Sequence, residues 1–170
     1  SLPTSSCVVF KNGLPSKKDY RIFKIKTITK ADDFASMREV VFRRYKRVLD
    51  EKGDLPDLIV IDGGKGQLSS AKESLKRLGL SGKIAIIGIA KKLESIYFPN
   101  DKIPLFIDKK SPSLKLIQTI RNEAHRFAIN YHKKRRLKST LSSALTDIDG
   151  IGEKTAELLI KRIGSVRRIY

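Results

Sequence analysis

The pattern of apolar and polar positions along the chain predicts alternating strands and helices. Two short runs, 5–10 and 20–26, are rich in β-branched and aromatic residues and flank a turn-forming segment, which predicts an antiparallel hairpin. Two further runs, 58–62 and 83–91, are almost wholly apolar, as is typical of buried strands. The segment 95–107 contains two short apolar runs around a Pro-Asn-Asp-Lys turn, and we expect these runs to pair.

Apolar residues at helical spacing predict three helices between and after these strands. The first begins after Asp32, a favourable N-cap residue, and the second ends before Gly79. The third begins at Ser111–Pro112, because proline is favoured in a first helical turn. The apolar stripe of the first helix is Phe34, Met37, Val41, Tyr45 and Val48, and that of the third is Ile117, Ile120, Ala124, Phe127, Ala128 and Tyr131. The fold class predicted is α/β, a sheet flanked by helices.

The stretch "LIVIDGGKGQL" places Asp62 at the end of a predicted central strand and before three glycines. It is not a Walker A loop, because Lys65 is followed by Gly66 rather than by serine or threonine. It is not a dinucleotide fingerprint either, because the third glycine of that motif would fall on Ser69. Open α/β sheets keep their ligand sites at the carboxyl ends of strands, which favours a chemical role for Asp62. The alternative is that Asp62 only caps the following turn.

The third helix carries polar residues along one flank of its apolar stripe. Gln118, Arg121, His125 and His132 share this flank, where a half-buried side chain can point into a cleft between helix and sheet. A lone histidine at such a position is more often a structural boundary residue. The polar neighbours on the same flank favour a functional site instead.

The charge of the chain favours a polyanionic partner. Its 36 lysines and arginines against 18 acidic residues give a formal charge of +18 and a sequence pI of about 10.1. The third helix runs into a basic segment, and phosphate contact is the preferred interpretation of Lys133, Lys134, Arg135, Arg136 and Lys138. No apolar run approaches the roughly 18 residues of a membrane span. The single cysteine, Cys7, lies in an apolar run and is expected to be a core residue. A chain without a disulfide framework fits a reducing cytoplasm.

The stretch "LTDIDGIGEKTAELLI", residues 145–160, matches the helix-hairpin-helix pattern position by position. Gly150 and Gly152 allow a tight turn whose amides can point at a phosphate near the start of the second helix, and Lys154 adds charge. Such a hairpin holds the sugar-phosphate backbone without reading bases. The residues up to Tyr170 resemble the start of a second copy.

Blocks along almost the whole chain, in order, resemble the UvrC family, the nuclease subunit of bacterial nucleotide excision repair. These blocks are "SSCVVFKNGLP", "DDFASMREVVFRRY", "LPDLIVIDGGKGQL", "IGIAK", "SPSLKLIQTIRNEAHRFAINYHKKRR" and "IDGIGEKTAELLIKRIGS". The resemblance implies an RNase H-like endonuclease domain over 1–138 with a mixed sheet, then a small all-α helix-hairpin-helix segment over 139–170. It further implies 5′ incision beside a lesion in damaged double-stranded DNA, together with the lesion-recognition partner UvrB, in the bacterial cytoplasm at the nucleoid.

The resemblance also implies a set of catalytic residues. The second aspartate of the family's Asp, Asp, His set falls on Asp62 and its histidine on His125, while a further functional aspartate falls on Asp33. The first aspartate belongs to an "F-D-[IN]-S-H" block on the first strand, which residues 1–170 do not contain. We expect this chain to be a fragment of a nuclease whose separate activity is in doubt.

A divalent cation fits this chemistry. Mg²⁺ and Mn²⁺ prefer carboxylate oxygens, so Asp62 is the expected metal ligand, and His125 is expected to be either a ligand or a proton donor. Lys65, Gln67 and Arg121 are expected to support the site.

Two other classes of protein remain compatible with the sequence. The first is a non-catalytic DNA-binding module built from a degenerate RNase H-like fold and a helix-hairpin-helix motif. The second is an interaction protein that uses its basic surface on anionic partners in general, which would have no need of Gly150 and Gly152.

Overall fold

The computed structural model describes residues 3–26, 32–90 and 95–163. They lie in two compact units, 1–125 and 126–170. The strands are β1 (Thr4–Cys7), β2 (Phe10–Lys11), β3 (Leu14–Pro15), β4 (Arg21–Lys24), β5 (Leu58–Asp62), β6 (Ala85–Ile89) and β7 (Ile96–Tyr97); the helices are α1 (Asp33–Asp50), α2 (Lys65–Arg77), α3 (Pro112–Thr146) and α4 (Glu153–Ile163).

The N-terminal hairpin forms as predicted, but its strands are shorter. β1 pairs antiparallel with β4, so that Cys7 lies opposite Arg21. The predicted run 5–10 is broken because β2 and β3 form a separate small hairpin around Asn12 and Gly13, whose φ angles are 52° and 76°. Positive φ at both central residues is the requirement of a type I′ turn, one of the two common two-residue hairpin turns. Cys7 is half-buried and not a member of the described core, and burial raises the pKa of its thiol.

The central sheet is mixed, as the resemblance implied. β5 runs parallel to β6, and β7 pairs antiparallel with β6. The pairing expected within 95–107 is limited to one bridge, Ile96 to Leu105, with backbone bonds of 3.0 and 2.8 Å. Pro104 has no N–H with which to extend this ladder. Residues 91–94, at the end of the predicted strand 83–91, lie outside the described residues.

Apolar side chains cover both faces of this sheet. On one face, Ile59 and Ile61 of β5 pack against buried residues of α1 and α2 such as Tyr45 and Leu75. On the other face, Ile87, Ile89 and Ile96 pack against Leu114 and Ile117 in the first turns of α3. Alternate residues of a strand point to opposite faces, so a run such as "LIVID" can serve both clusters.

The first helix begins as predicted. Asp32 is its N-cap, and its Oδ1 accepts hydrogen bonds from the amides of Phe34 and Ala35 at 2.9 and 3.0 Å. Val41 and Tyr45 of the predicted stripe are buried, whereas Phe34 is 47% exposed. Phe34 lies at the edge because its ring is placed over Gly66, so close that a Cβ atom on Gly66 would lie 2.3 Å from it.

The second unit contains α4 and the greater part of α3. The two helices are joined by a turn over 147–152, in which Gly150 has a φ of 87°. Two helices joined by a short turn are what the helix-hairpin-helix pattern predicts for this segment. The domain boundary expected after residue 138 falls within α3 and stays a prediction, and residues 164–170 lie outside the described part. No described helix is both long and apolar enough to span a membrane.

Gly88 provides a test of how tightly the sheet packs against the turn after β5. A Cβ atom on Gly88 would lie 2.8 Å from the carbonyl oxygen of Gly63, whose backbone has little freedom to move. We expect Gly88→Ala to lower the free energy of unfolding by about 2–3 kcal/mol, since overpacking is costly where backbone must shift. Urea unfolding at 25 °C measures this change.

Gly53→Ala is the matched control, because a Cβ atom there would meet Val48 at an ordinary 3.6 Å. We expect its unfolding free energy to stay within about 0.5 kcal/mol of wild type. Equal unfolding midpoints for the two variants would contradict the close approach at Gly88.

Candidate functional site

Asp62 lies at the carboxyl end of β5, where the parallel strands β5 and β6 end side by side. It is opposite Ile89 in the register of the two strands. The turn that follows is fixed by the amide of Gly63, which donates to the carbonyls of Ile61 at 2.9 Å and Ile89 at 3.1 Å. The carboxylate is therefore held at the sheet edge where α/β folds place ligands.

His125 meets Asp62 at this edge. The Nε2 atom of His125 lies 2.5 Å from the Oδ2 atom of Asp62, across 63 positions of sequence. The side chains are 43% and 30% exposed, so the pair is half-buried and open to a ligand. The structure thus brings together the two residues on which the sequence analysis placed the main chemistry.

The second carboxylate oxygen of Asp62, Oδ1, differs from Oδ2 in its surroundings. Oδ1 is buried and has no hydrogen-bond partner among the described residues. A buried carboxylate oxygen without a partner is costly, so such an atom calls for an explanation such as an ion. A capping role for Asp62 would be expected to give this oxygen an amide partner, and none is found among the described residues.

Two hydrogen bonds next to His125 fix the position of α3 on the hairpin sheet. The hydroxyl of Ser6 donates to the carbonyl oxygen of Ala124 at 3.1 Å, and the hydroxyl of buried Tyr20 donates to Oε1 of Glu123 at 3.0 Å. The sequence analysis did not identify Ser6 or Tyr20. Their bonds span 118 and 103 positions, and no local pattern encodes contacts of that range.

The three glycines after Asp62 have different surroundings. A Cβ atom on Gly63 would lie 2.7 Å from Gln67, and one on Gly66 would meet the ring of Phe34. Gly64, the N-cap of α2, has nothing within 4 Å of a Cβ position. Close internal packing therefore accounts for Gly63 and Gly66, and only Gly64 offers open space for a ligand.

The supporting residues expected from the sequence lie around this turn. Lys65 is exposed; its ammonium group contacts the carbonyl oxygen of Lys102 and lies 5.9 Å from the centre of the Tyr97 ring. Gln67 is half-buried against Gly63. Arg121 is half-buried on α3, four residues before His125. Their roles toward a substrate stay predictions.

Asp33 is exposed at the first position of α1, next to the N-cap Asp32. In the described part of the chain no three His, Cys, Asp or Glu side chains are grouped closely enough to hold a metal ion. Asp33 therefore does not complete a ligand set with Asp62 and His125. Its catalytic role stays a prediction.

The candidate phosphate-binding residues lie in the second unit. Gly150 and Gly152 are exposed in the turn before α4, and Lys154 is exposed in its first turn. The carbonyl of Gly152 accepts a bond from the amide of Ala156 at 3.0 Å, so the preceding amides of α4 have no partner within the helix. In the basic segment of α3, Lys133, Lys134, Arg136 and Lys138 are exposed and Arg135 is half-buried.

Comparison with known proteins identifies relatives of the whole chain. The family model of the UvrC RNase H endonuclease domain matches residues 1–129. The UvrABC system protein C of Christiangramia forsetii is 62% identical over 98% of this chain, that of Porphyromonas gingivalis 57% over 98%, and that of Salinibacter ruber 53% over 97%. The chain spans 26–28% of the length of these relatives. The match over most of the chain shows that it belongs to the UvrC family and contains the RNase H-like endonuclease domain of that family.

Proposed function

We propose that this chain is the catalytic part of a metal-dependent DNA endonuclease that makes the 5′ incision beside a lesion in nucleotide excision repair. The observation that carries the proposal is the pair of Asp62 and His125 at the carboxyl edge of the sheet, with the buried Oδ1 of Asp62 unpartnered among the described residues. Family membership supports the nuclease chemistry, and the formal charge of +18 supports a polyanionic substrate.

The residues present fit a divalent cation. A hard ion such as Mg²⁺ or Mn²⁺ would satisfy the free lone pairs on Asp62 Oδ1, and it would be held by Asp62 with water molecules completing its coordination. When bound, such an ion lowers the pKa of a water molecule and neutralises charge on the phosphoryl oxygens. The RNase H-like domain agrees with this use of a divalent metal.

His125 is suited to handling a proton in this reaction. Its Nε2 atom faces the carboxylate of Asp62, so the imidazole is oriented toward the position where a phosphodiester would be hydrolysed. An imidazole can carry a proton to the leaving 3′ oxygen or coordinate the ion. The bonds of Ser6 and Tyr20 beside it hold this part of α3 in place.

The second unit would supply DNA affinity without reading bases. Exposed glycines at the start of a helix allow close approach of a phosphate to backbone amides, and the basic run of α3 adds side-chain contacts. We further propose that damaged double-stranded DNA and the partner UvrB are bound in the bacterial cytoplasm. The name UvrABC system protein C of the relatives supports a multi-protein repair system.

One observation favours a second candidate function, a DNA-binding module that does not cut. In the described residues only Asp62 and His125 come together, and no third ligating side chain joins them. Nicking of DNA by the full-length protein, with the "F-D-[IN]-S-H" block present, distinguishes the two functions.

We expect MnCl₂ to stabilise the chain. When the free ion concentration is ten times the Kd, binding adds about 1.4 kcal/mol to the free energy of unfolding. For a chain of this length, that corresponds to a Tm increase of about 3–5 °C. Asp62→Asn should abolish the increase because it removes the negative charge that the ion needs. Thermal unfolding by circular dichroism, in MnCl₂ and in EDTA, measures the difference.

Asp57→Asn is the control for this measurement, since Asp57 is an exposed aspartate just before the same strand. We expect it to keep the full Tm increase. An increase of the same size in Asp62→Asn would exclude Asp62 as a ligand.

We expect Asp62→Asn and His125→Ala to lower the 5′ nicking rate at least about 100-fold in the full-length protein with its partners and Mg²⁺. Both side chains are half-buried, so DNA affinity should change less than about twofold. A single-turnover assay on a lesion-containing duplex, with a filter-binding assay alongside, separates the two effects. Near-normal nicking by either variant would refute the assignment.

The same assay resolves the role of Asp33. As an exposed residue at a helix start, it would contribute only about 0.3–1 kcal/mol of stability through the helix dipole. The resemblance predicts instead that Asp33→Asn loses nicking while the fold is kept.

We expect replacement of Gly150 and Gly152 by valine to lower duplex affinity at least about tenfold. Gly150 has a φ of 87°, which a β-branched residue rarely adopts, and the added side chains would block the approach of a phosphate to the turn. Gly79→Val introduces a similar strain at a φ of 69° at the end of α2 and should leave affinity unchanged. Fluorescence anisotropy with a labelled duplex measures both, and equal losses would show that strain alone was responsible.

A further inference from the structure

Exposed apolar side chains are concentrated in the segment between β7 and α3. Phe98 is 41% exposed, Ile103 78%, Leu105 48% and Phe106 62%. We name residues 98–106 the apolar tip. The catalytic pair does not involve it, and the sequence pattern predicted only a paired strand there.

The apolar tip is anchored to the first unit at several points. Ile96, which is 1% exposed, exchanges two backbone hydrogen bonds with Leu105. The ammonium group of Lys72 donates to Oδ1 of Asn100 at 2.6 Å, and that of Lys65 donates to the carbonyl of Lys102. With its backbone held in this way, the tip cannot readily bury its apolar side chains by folding back.

The register of the strands gives the distance from the tip to the candidate site. Asp62 pairs with Ile89, Ile89 with Ile96, and Ile96 with Leu105. Each step across a sheet is about 4.8 Å, so Leu105 lies about 14 Å from Asp62. This distance corresponds to about four stacked nucleotides along one strand of DNA.

The charges around the tip favour a nucleic acid as its occupant. Lys65 contacts the tip at Lys102, and Lys109 and Lys110 follow it closely in the sequence. All four lysines are exposed, as are the acidic residues Asp101 and Asp108. Lysines beside exposed rings and aliphatic chains are suited to phosphates and to the faces of unstacked bases.

We propose that the apolar tip binds unpaired bases of an opened DNA strand about four nucleotides from the phosphate that is cut. This inference rests on the proposed function, and it adds a contact with the opened strand that lies away from Asp62 and His125. Phe106 stacks on a base, and Ile103 fills the space left by the separated strand.

The test compares the affinity of the full-length protein for two duplexes in EDTA, one fully paired and one with a central bubble of unpaired bases. We expect wild type to prefer the bubble about tenfold, as one stacking contact allows. The variant Ile103→Ser with Phe106→Ser should reduce the preference to less than about twofold and keep its affinity for the paired duplex. Phe106→Tyr, which keeps the ring, should keep the preference.

Leu14→Ser is the matched control, because Leu14 is 69% exposed on the other small hairpin of the same unit. It should keep the preference for the bubble. An unchanged preference in the Ile103→Ser, Phe106→Ser variant would overturn the proposal. If that variant kept the preference but no longer nicked DNA loaded with its protein partners, the tip would instead be a protein-docking surface, and the proposal would be wrong. Because binding is measured without metal, failure of the nuclease assignment would leave this result interpretable.

Discussion

The contact between His125 Nε2 and Asp62 Oδ2 depends on most of the first unit being folded. Asp62 reaches the sheet edge only because β5 is buried between two apolar clusters, and His125 reaches it only because the first turns of α3 pack on the opposite face. The two residues belong to β5 and α3, which are far apart in the sequence. A change that shifts α3 by a fraction of a turn would therefore separate them without unfolding the sheet. The bonds of Ser6 and Tyr20 beside His125 therefore help to keep His125 in contact with Asp62.

Backbone packing around the turn after β5 imposes a second constraint. Gly63 lies against Gln67, Gly66 against Phe34, and Gly88 of β6 against the carbonyl of Gly63. A Cβ atom at any of these three positions would lie less than 3.0 Å from a neighbouring atom, so α1, α2 and β6 all lie close to the segment that carries Asp62. Glycine-rich turns are often attributed to ligand approach, but here that explanation is suited to Gly64 alone. The rigidity of the turn limits the freedom of the Asp62 carboxylate before any ligand arrives, which is the condition for preorganised catalysis.

Much of the fold could be predicted from the sequence. The features that could not be predicted all have the same cause. The buried run ending at Asp62, the N-cap at Asp32 and the helix from Pro112 follow from local periodicity and capping chemistry, and the structure confirms them. The contact partners of Gly63, Gly66 and Gly88, and the bonds of Ser6 and Tyr20, depend on which elements become neighbours in the folded chain. The turn at Asn12–Gly13 has a clear sequence signal. The hairpin that it forms nevertheless ends the strand that the apolar pattern predicted over 5–10. The roles of the site residues were taken from the residues and from a family resemblance, and the geometry supports the pairing of Asp62 with His125 while leaving Asp33 apart.

Two features of the first unit work against its stability in isolation. One is a carboxylate oxygen, Asp62 Oδ1, that is buried without a partner among the described residues; the other is the set of apolar side chains held in solvent at 98–106. Selection for stability alone would remove both, by changing Asp62 to an apolar residue of similar size or Ile103 to a polar residue. Local conflicts of this kind are expected at functional sites, where a ligand supplies the missing interaction. The two deficiencies are complementary in chemistry, since one requires a cation and the other an apolar or aromatic surface. A metal ion together with an opened DNA strand would meet both requirements, so the proposed nuclease site and the proposed role of the apolar tip would use one substrate.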